Sequence, residues 1–295
     1  MRISSNWLSL RMLSQVQHAQ SRMVDEQGHV ATGKRINRAS DDPVATGRVL
    51  GLLTRGSNND QYQRNVTVAG QDLAATEAAI GSTHDLLARA HELSIQASND
   101  SLGPGDRAKI AVEVSSLISQ AVNVANQQYG DRFLFAGHQT NVKPFAEDVP
   151  GTPTTVTYNG DAGQIEREIA QGERITVNVT GTQFFPNVFA RLIQFRDALN
   201  ANDATTIRNT TGTIKASIDE GLTIRSDIGA RVLRVEAAGQ RHEDEHVLVE
   251  SMRSSLEDID LAEAIVRLQA QETTYQAALS STGRTMQLSL LDFLR

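Results

Sequence analysis

Hydrophobic residues recur at seven-residue intervals through residues 261–295. Leu261, Leu268, Tyr275, Thr282 and Ser289 make one row, and Ile265, Glu272, Leu279, Met286 and Phe293 make another beside it. Adjacent rows of that period describe a coiled-coil seam, here imperfectly apolar. Arg284 is the only charge between Thr273 and Leu291, but Gln276, Ser280, Ser281, Thr282 and Gln287 make the stretch too polar for a bilayer span. A partner helix is the expected cover. Residues 1–31 repeat the design, with Ile3 and Leu10 seven apart and then Val16, Met23 and Val30. Each stripe lacks its cover when alone, so order on assembly is expected at both ends.

Gly33 is placed to stop the first helix, and Asp42-Pro43 to restart one, with Asp42 as N-cap and Pro43 at the first helical position. A long helix then runs to about residue 100, carrying Val66, Leu73, Ile80 and Leu87. Ser101-Leu102-Gly103-Pro104-Gly105 breaks it, and Ile110, Val114, Leu117, Ala121 and Val124 define a second helix, predicted to fold back as an antiparallel hairpin. Between 141 and 187 the pattern changes to Pro144, Pro150, Pro153 and Pro186 with β-branched runs at 154–158 and 175–179. Helical spacing resumes over 188–200 and from Ile207 onward.

The expected fold is therefore mainly α with a β-rich insertion: elongated, its N- and C-terminal helices paired as a coiled coil, followed by a helical-bundle middle domain and an outer β domain. The expected boundaries are 1–42 with 252–295, 43–140 with 188–251, and 141–187.

Charge narrows the partners. With 28 Lys+Arg against 35 Asp+Glu and a net charge of −7, nucleic acid and anionic membranes are poor candidates as main partners. Without cysteine there are no disulfides, thiolate metal sites or Cys nucleophiles. Arg2, Arg11 and Arg22 precede the first acid, Asp25, as in a transit peptide, which is the lesser reading. No apolar h-region is present, so export would proceed without a cleavable signal.

Two motifs suggest chemistry. His242-Glu243-x-x-His246 matches the zinc-peptidase spacing, two ligands one helical turn apart with Glu as base. The neighbouring charges favour a solvated helix face instead, and a zinc peptidase is kept as the alternative of another class. Gly28 to Arg35 approaches a phosphate-binding loop, but Arg35 replaces the required hydroxyl and no strand precedes it. No catalytic residue, cofactor or metal is assigned.

The segment Thr32-Gly33-Lys34-Arg35-Ile36-Asn37-Arg38-Ala39-Ser40-Asp41-Asp42-Pro43-Val44-Ala45 resembles the N-terminal region of flagellins and flagellar hook-associated proteins. Gln271 to Leu279 and Ser289 to Leu294 resemble that family's terminal helix. Tyr129 to Gly137, Lys143-Pro144-Phe145 and Ser226 to Arg231 resemble the family's hook-filament junction members more than filament flagellin, the alternative within the class. The resemblance implies a structural, non-catalytic subunit of the bacterial flagellum, exported by the flagellar type III apparatus to an extracellular position. Implied partners are copies of itself in a ring, a hook-side junction protein, flagellin, and an export chaperone for the C-terminal helix. The expected assembly interface sets Leu268, Tyr275, Leu279, Met286, Leu290 and Phe293 against Ile3, Leu10, Val16 and Met23. Arg35, Asn37, Asp41, Asp42 and Pro43 are expected to form an inter-domain corner.

Overall fold

The computed structural model describes residues 2–99 and 101–293, without the side chains of 2–6, 8, 9 and 285–293. Ile3, Met286, Leu290 and Phe293 thus lie outside the described side chains. The chain forms helices α1 (Arg2–Thr32), α2 (Pro43–Ala97) and α3 (Pro104–Ala125), then strands β1 (Gln128–Tyr129), β2 (Arg132–Phe133), β3 (Phe145–Glu147), β4 (Val156–Tyr158), β5 (Glu166–Ala170) and β6 (Glu173–Thr176). A short 3-10 turn at Gly181–Gln183 precedes α4 (Phe185–Asn200), α5 (Ala204–Glu257) and α6 (Leu261–Phe293). The strands pair antiparallel as three hairpins, β1 with β2, β3 with β4 and β5 with β6. Two compact units result, residues 1–58 with 245–295 and residues 59–244.

The unit of residues 59–244 holds the main core. Leu73, Ile80 and Leu87 of α2 are wholly buried, as the seven-residue spacing requires of a helix packed on one face. The expected hairpin is present: Arg89 on α2 meets Glu113 on α3 at 2.8 Å across the turn at 101–103. Down the other flank α2 runs antiparallel to α5, shown by Glu77 with Arg225 at 2.6 Å and Ser98 with Thr211 at 3.4 Å. Arg107, 5% exposed, donates to Asn202 Oδ1 at 2.6 Å and Asn99 O at 3.4 Å, joining the α2–α3 and α4–α5 turns.

The β-rich region is seated on this core by rings. Phe145 of β3 and Phe185 and Phe189 of α4 form a cluster with centroids 5.3 to 6.0 Å apart, joined by Phe135 and Tyr158. The β1–β2 hairpin was not anticipated, because Gln128-Tyr129 and Arg132-Phe133 are too short to show alternation. Gly130 at φ +60° makes its turn.

In the other unit, Gly33 at φ +69° ends α1, where its carbonyl accepts the Ile259 N–H at 3.1 Å. Asp42 Oδ1 accepts the Ala45 N–H at 2.9 Å and so caps α2 ahead of Pro43. A second break, at 258–260, separates α5 from α6 and was not anticipated. Asp260 Oδ1 caps α6 by accepting from Ala262 at 2.9 Å and Glu263 at 3.3 Å. The signal was legible as Asp-x-x-Glu over 260–263, the spacing of a capping box.

Candidate functional site

Helices α1 and α6 pack together along their length. Among the described side chains, one row of half-buried and buried positions on α1 is Met12, Val16, Ala19, Met23, Glu26 and Val30, with Gly28 and His29 half-buried beside it; those of α6 are Ala264, Leu268, Gln271, Tyr275, Ala278 and Thr282. Both sets alternate four and three, the spacing of knobs-into-holes packing. Among the described side chains of the pair only Ala19 and Ala264 are buried, so small side chains bring the two backbones together and the larger ones cover the flanks. Val16, Met23, Leu268 and Tyr275 lie in this seam.

One expected row does not. Ile265 and Leu279 face outward, 44% and 45% exposed, as does Leu10. Two neighbouring rows were legible in α6, and the one lying against α1 joins 268, 275 and 282 to 264, 271 and 278. Sequence reasoning missed Ala19, Ala264, Gln271 and Ala278, because alanine and glutamine carry little apolar signal. Their four-and-three spacing is the trace that could have found them. The outward faces keep Trp7, Leu13 and Val24 on α1 and Leu261 and Val266 on α6 in solvent.

The corner residues occupy the α1–α2 connection, within one compact unit. Asp41 Oδ2 accepts the N–H groups of Arg38 at 2.8 Å and Asn37 at 3.0 Å, which hold its carboxyl below the usual range. Asp42 is lowered likewise, first by the Ala45 N–H and then by Arg35, 3.4 Å away. Arg35 donates to Leu256 O at 3.0 Å, its N–H goes to Glu257 O at 2.6 Å, and Lys34 meets Glu257 at 2.8 Å. The two chain breaks are thereby laced side by side. Asp41 and Asp42 serve the backbone and leave no carboxylate pair poised for catalysis.

His242 corrects the expectation of a solvated face. It is 6% exposed, while Glu243 and His246 are exposed. Its Nδ1 lies 2.7 Å from Asn59 Oδ1 and its Nε2 2.6 Å from Ile169 O, so both ring nitrogens are occupied and neither is offered to zinc. Among the described residues no group of three His, Cys, Asp or Glu could hold a metal ion.

What this geometry defines is a helical structural subunit whose two ends pair and leave apolar faces uncovered. Residues 3–140 match the bacterial flagellin N-terminal helical region and 211–294 the bacterial flagellin C-terminal helical region, together most of the chain. The chain belongs to the bacterial flagellin and hook-associated protein family. It is similar to the flagellar hook-associated protein 3 of Escherichia coli, 25% identical over 98% of both chains, and to a flagellin of Listeria monocytogenes, 22% identical over 97% of this chain and 96% of that one. In fold it is similar to the FlgL crystal structure from Bacillus cereus, with TM-score 0.61, 20% identity, 69% of this chain and 99% of that chain. The junction protein FlgL of Legionella pneumophila gives TM-score 0.60, 18% identity and 71% and 99% coverage. The protein is a structural component of the flagellum rather than an enzyme. No helix among the described residues is long and apolar enough to cross a membrane.

Proposed function

We propose that this chain is a hook-filament junction subunit. The observation that carries the reading is its alignment with the hook-associated protein 3 of Escherichia coli across 98% of both chains. In this reading copies of the chain form a ring, with a hook-side junction protein on one side and flagellin on the other. Export proceeds through the flagellar type III apparatus to the outside of the cell, with a chaperone covering α6 beforehand. Leu10 and Leu279, exposed on the outer faces of α1 and α6, would meet neighbouring subunits, while Val16, Met23, Leu268 and Tyr275 hold the pair together. Ile3, Met286, Leu290 and Phe293 extend the interface toward both chain ends, and the division into 1–42 with 252–295, 43–140 with 188–251, and 141–187 belongs to the same proposal. Removing and restoring the gene in a motile cell tests it. The expected outcome is that hooks form without attached filaments until the chain is resupplied. Spontaneous growth of long filaments from the pure protein would instead make it a filament flagellin.

A further inference from the structure

The sequence contains one Asn-Gly pair, Asn159-Gly160, directly after β4. Such a pair is prone to close on itself, because a following residue without a side chain leaves its backbone nitrogen open to the asparagine side chain. In that reaction the Gly160 nitrogen attacks Cγ of Asn159. The N–Cγ bond forms, the Cγ–Nδ2 bond breaks, and Nδ2 leaves as ammonia with the proton of the Gly160 nitrogen. Water then opens the five-membered imide. Opening at Cγ gives ordinary aspartate; opening at the backbone carbonyl gives isoaspartate, in which the chain runs through Cγ and its backbone is longer by one carbon.

Side chain and backbone of this pair are held very differently. Asn159 is exposed, and its side chain makes no hydrogen bond to another described residue. The backbone on both sides is fixed. Asn159 N–H donates to Pro144 O at 2.7 Å and Asp161 N–H to Ala136 O at 3.1 Å. The Tyr158 hydroxyl lies 2.9 Å from Phe135 O and 2.7 Å from Asp161 O, while Asp161 Oδ1 accepts the N–H groups of His138 at 2.7 Å and Gly163 at 2.8 Å. Gly160 is packed inside this clasp: a Cβ on it would stand 2.5 Å from Tyr158 Oη and 2.8 Å from Ala136 O. Ring closure has to swing the Gly160 nitrogen toward Cγ, a movement that works against every one of these contacts.

We propose that Asn159-Gly160 is a modification site gated by the fold. It closes to the imide while the chain is unfolded and is restrained once the clasp forms. Time spent unfolded therefore sets the modified fraction. The two products then differ in effect. Aspartate at 159 keeps the backbone length and alters only an exposed side chain, so the clasp re-forms. Isoaspartate adds a backbone carbon between the Asn159–Pro144 and Asp161–Ala136 bonds, and both cannot be made at once in their present register. The β3–β4 hairpin loses its anchor at that end.

Two measurements on the full chain test the gate and its consequence. Peptide mapping by mass spectrometry follows conversion at Asn159 in mildly alkaline buffer, folded and in urea. Conversion is expected to be at least about tenfold faster in urea, where the clasp is open, and to vanish in Asn159→Gln, whose longer side chain closes a less favourable ring. Equal rates folded and in urea overturn the gate. Chains carrying isoaspartate, separated and returned to folding buffer, are expected to show β3–β4 amide protection about tenfold lower relative to α3, the loss of one good hydrogen bond, whereas Asn159→Asp matches wild type. Wild-type protection in the isoaspartate chains, equal loss in Asn159→Asp, or loss that extends to α3 overturns the proposed consequence.

Discussion

Phe185 lies 4.7 Å from Phe135, 5.3 Å from Phe145 and 5.4 Å from Phe184, wholly buried among them. Emptying that position leaves a cavity that rigid rings cannot fill, so Phe185→Ala should cost about 3–5 kcal/mol in urea unfolding. Gly181 sits against the same cluster. A Cβ there would stand 2.6 Å from Tyr158, 2.7 Å from Phe145 and 2.9 Å from Phe135 O, whereas nothing lies within 4 Å of one on Gly105. Calorimetry should find Gly181→Ala clearly less stable than Gly105→Ala; equal melting would refute the contact. The carboxyls of Asp148 and Asp203 are held below the usual range, first by the Thr154 and Thr206 hydroxyls respectively and then by backbone N–H groups. Their contribution is present above the ordinary carboxylate range and is lost as pH falls through the lowered values. The melting temperature should therefore decline below about pH 4, and Asp203→Asn should flatten that decline. The composition of this aromatic cluster was visible in the sequence, but its contacts join residues 135 to 189 through loops that carry no periodic signal.

Helix α6 has an inward and an outward face, and the two can be tested separately. Ala264→Asp puts an unpaired charge where small size brings two backbones together, and should open the α1–α6 pair. Loss of helical ellipticity would measure it. Leu279→Asp falls on the outer face, so ellipticity and melting should stay near wild type while incorporation into flagella is abolished. Normal motility in Leu279→Asp would remove this residue from the interface. The seven-residue period made both helices legible. Which of two neighbouring rows faces α1 was not legible, because helix phase is selected by how closely the partner backbone can approach.

At the scale of the molecule, the residues of the main core, from Val66 to Ala238, all belong to the unit of residues 59–244. A chain cut to 59–244 should therefore fold and melt cooperatively; a gradual, non-cooperative melt would show that this core is insufficient. The α1–α6 pair fully buries only Ala19 and Ala264 along its described side chains. Residues 1–31 and 261–295 should accordingly be cut by protease well before 59–244 in the free protein, and protected once assembled. Equal resistance in the free protein would contradict this.

Local patterning in the sequence determined the helices, their caps at Asp42 and Asp260, the stop at Gly33 and the presence of a β-rich insertion, because each depends on residues within a few positions of one another. Tertiary structure decided the rest. The same His-Glu-x-x-His spacing that serves a zinc site elsewhere here turns His242 inward, since Asn59, Tyr62 and the bulged Ile169 meet it from 183, 180 and 73 residues away. The seam of α6 was decided in the same way, by alanines whose value lies in the space they leave for α1. Contacts made across such separations have no period for a sequence to display.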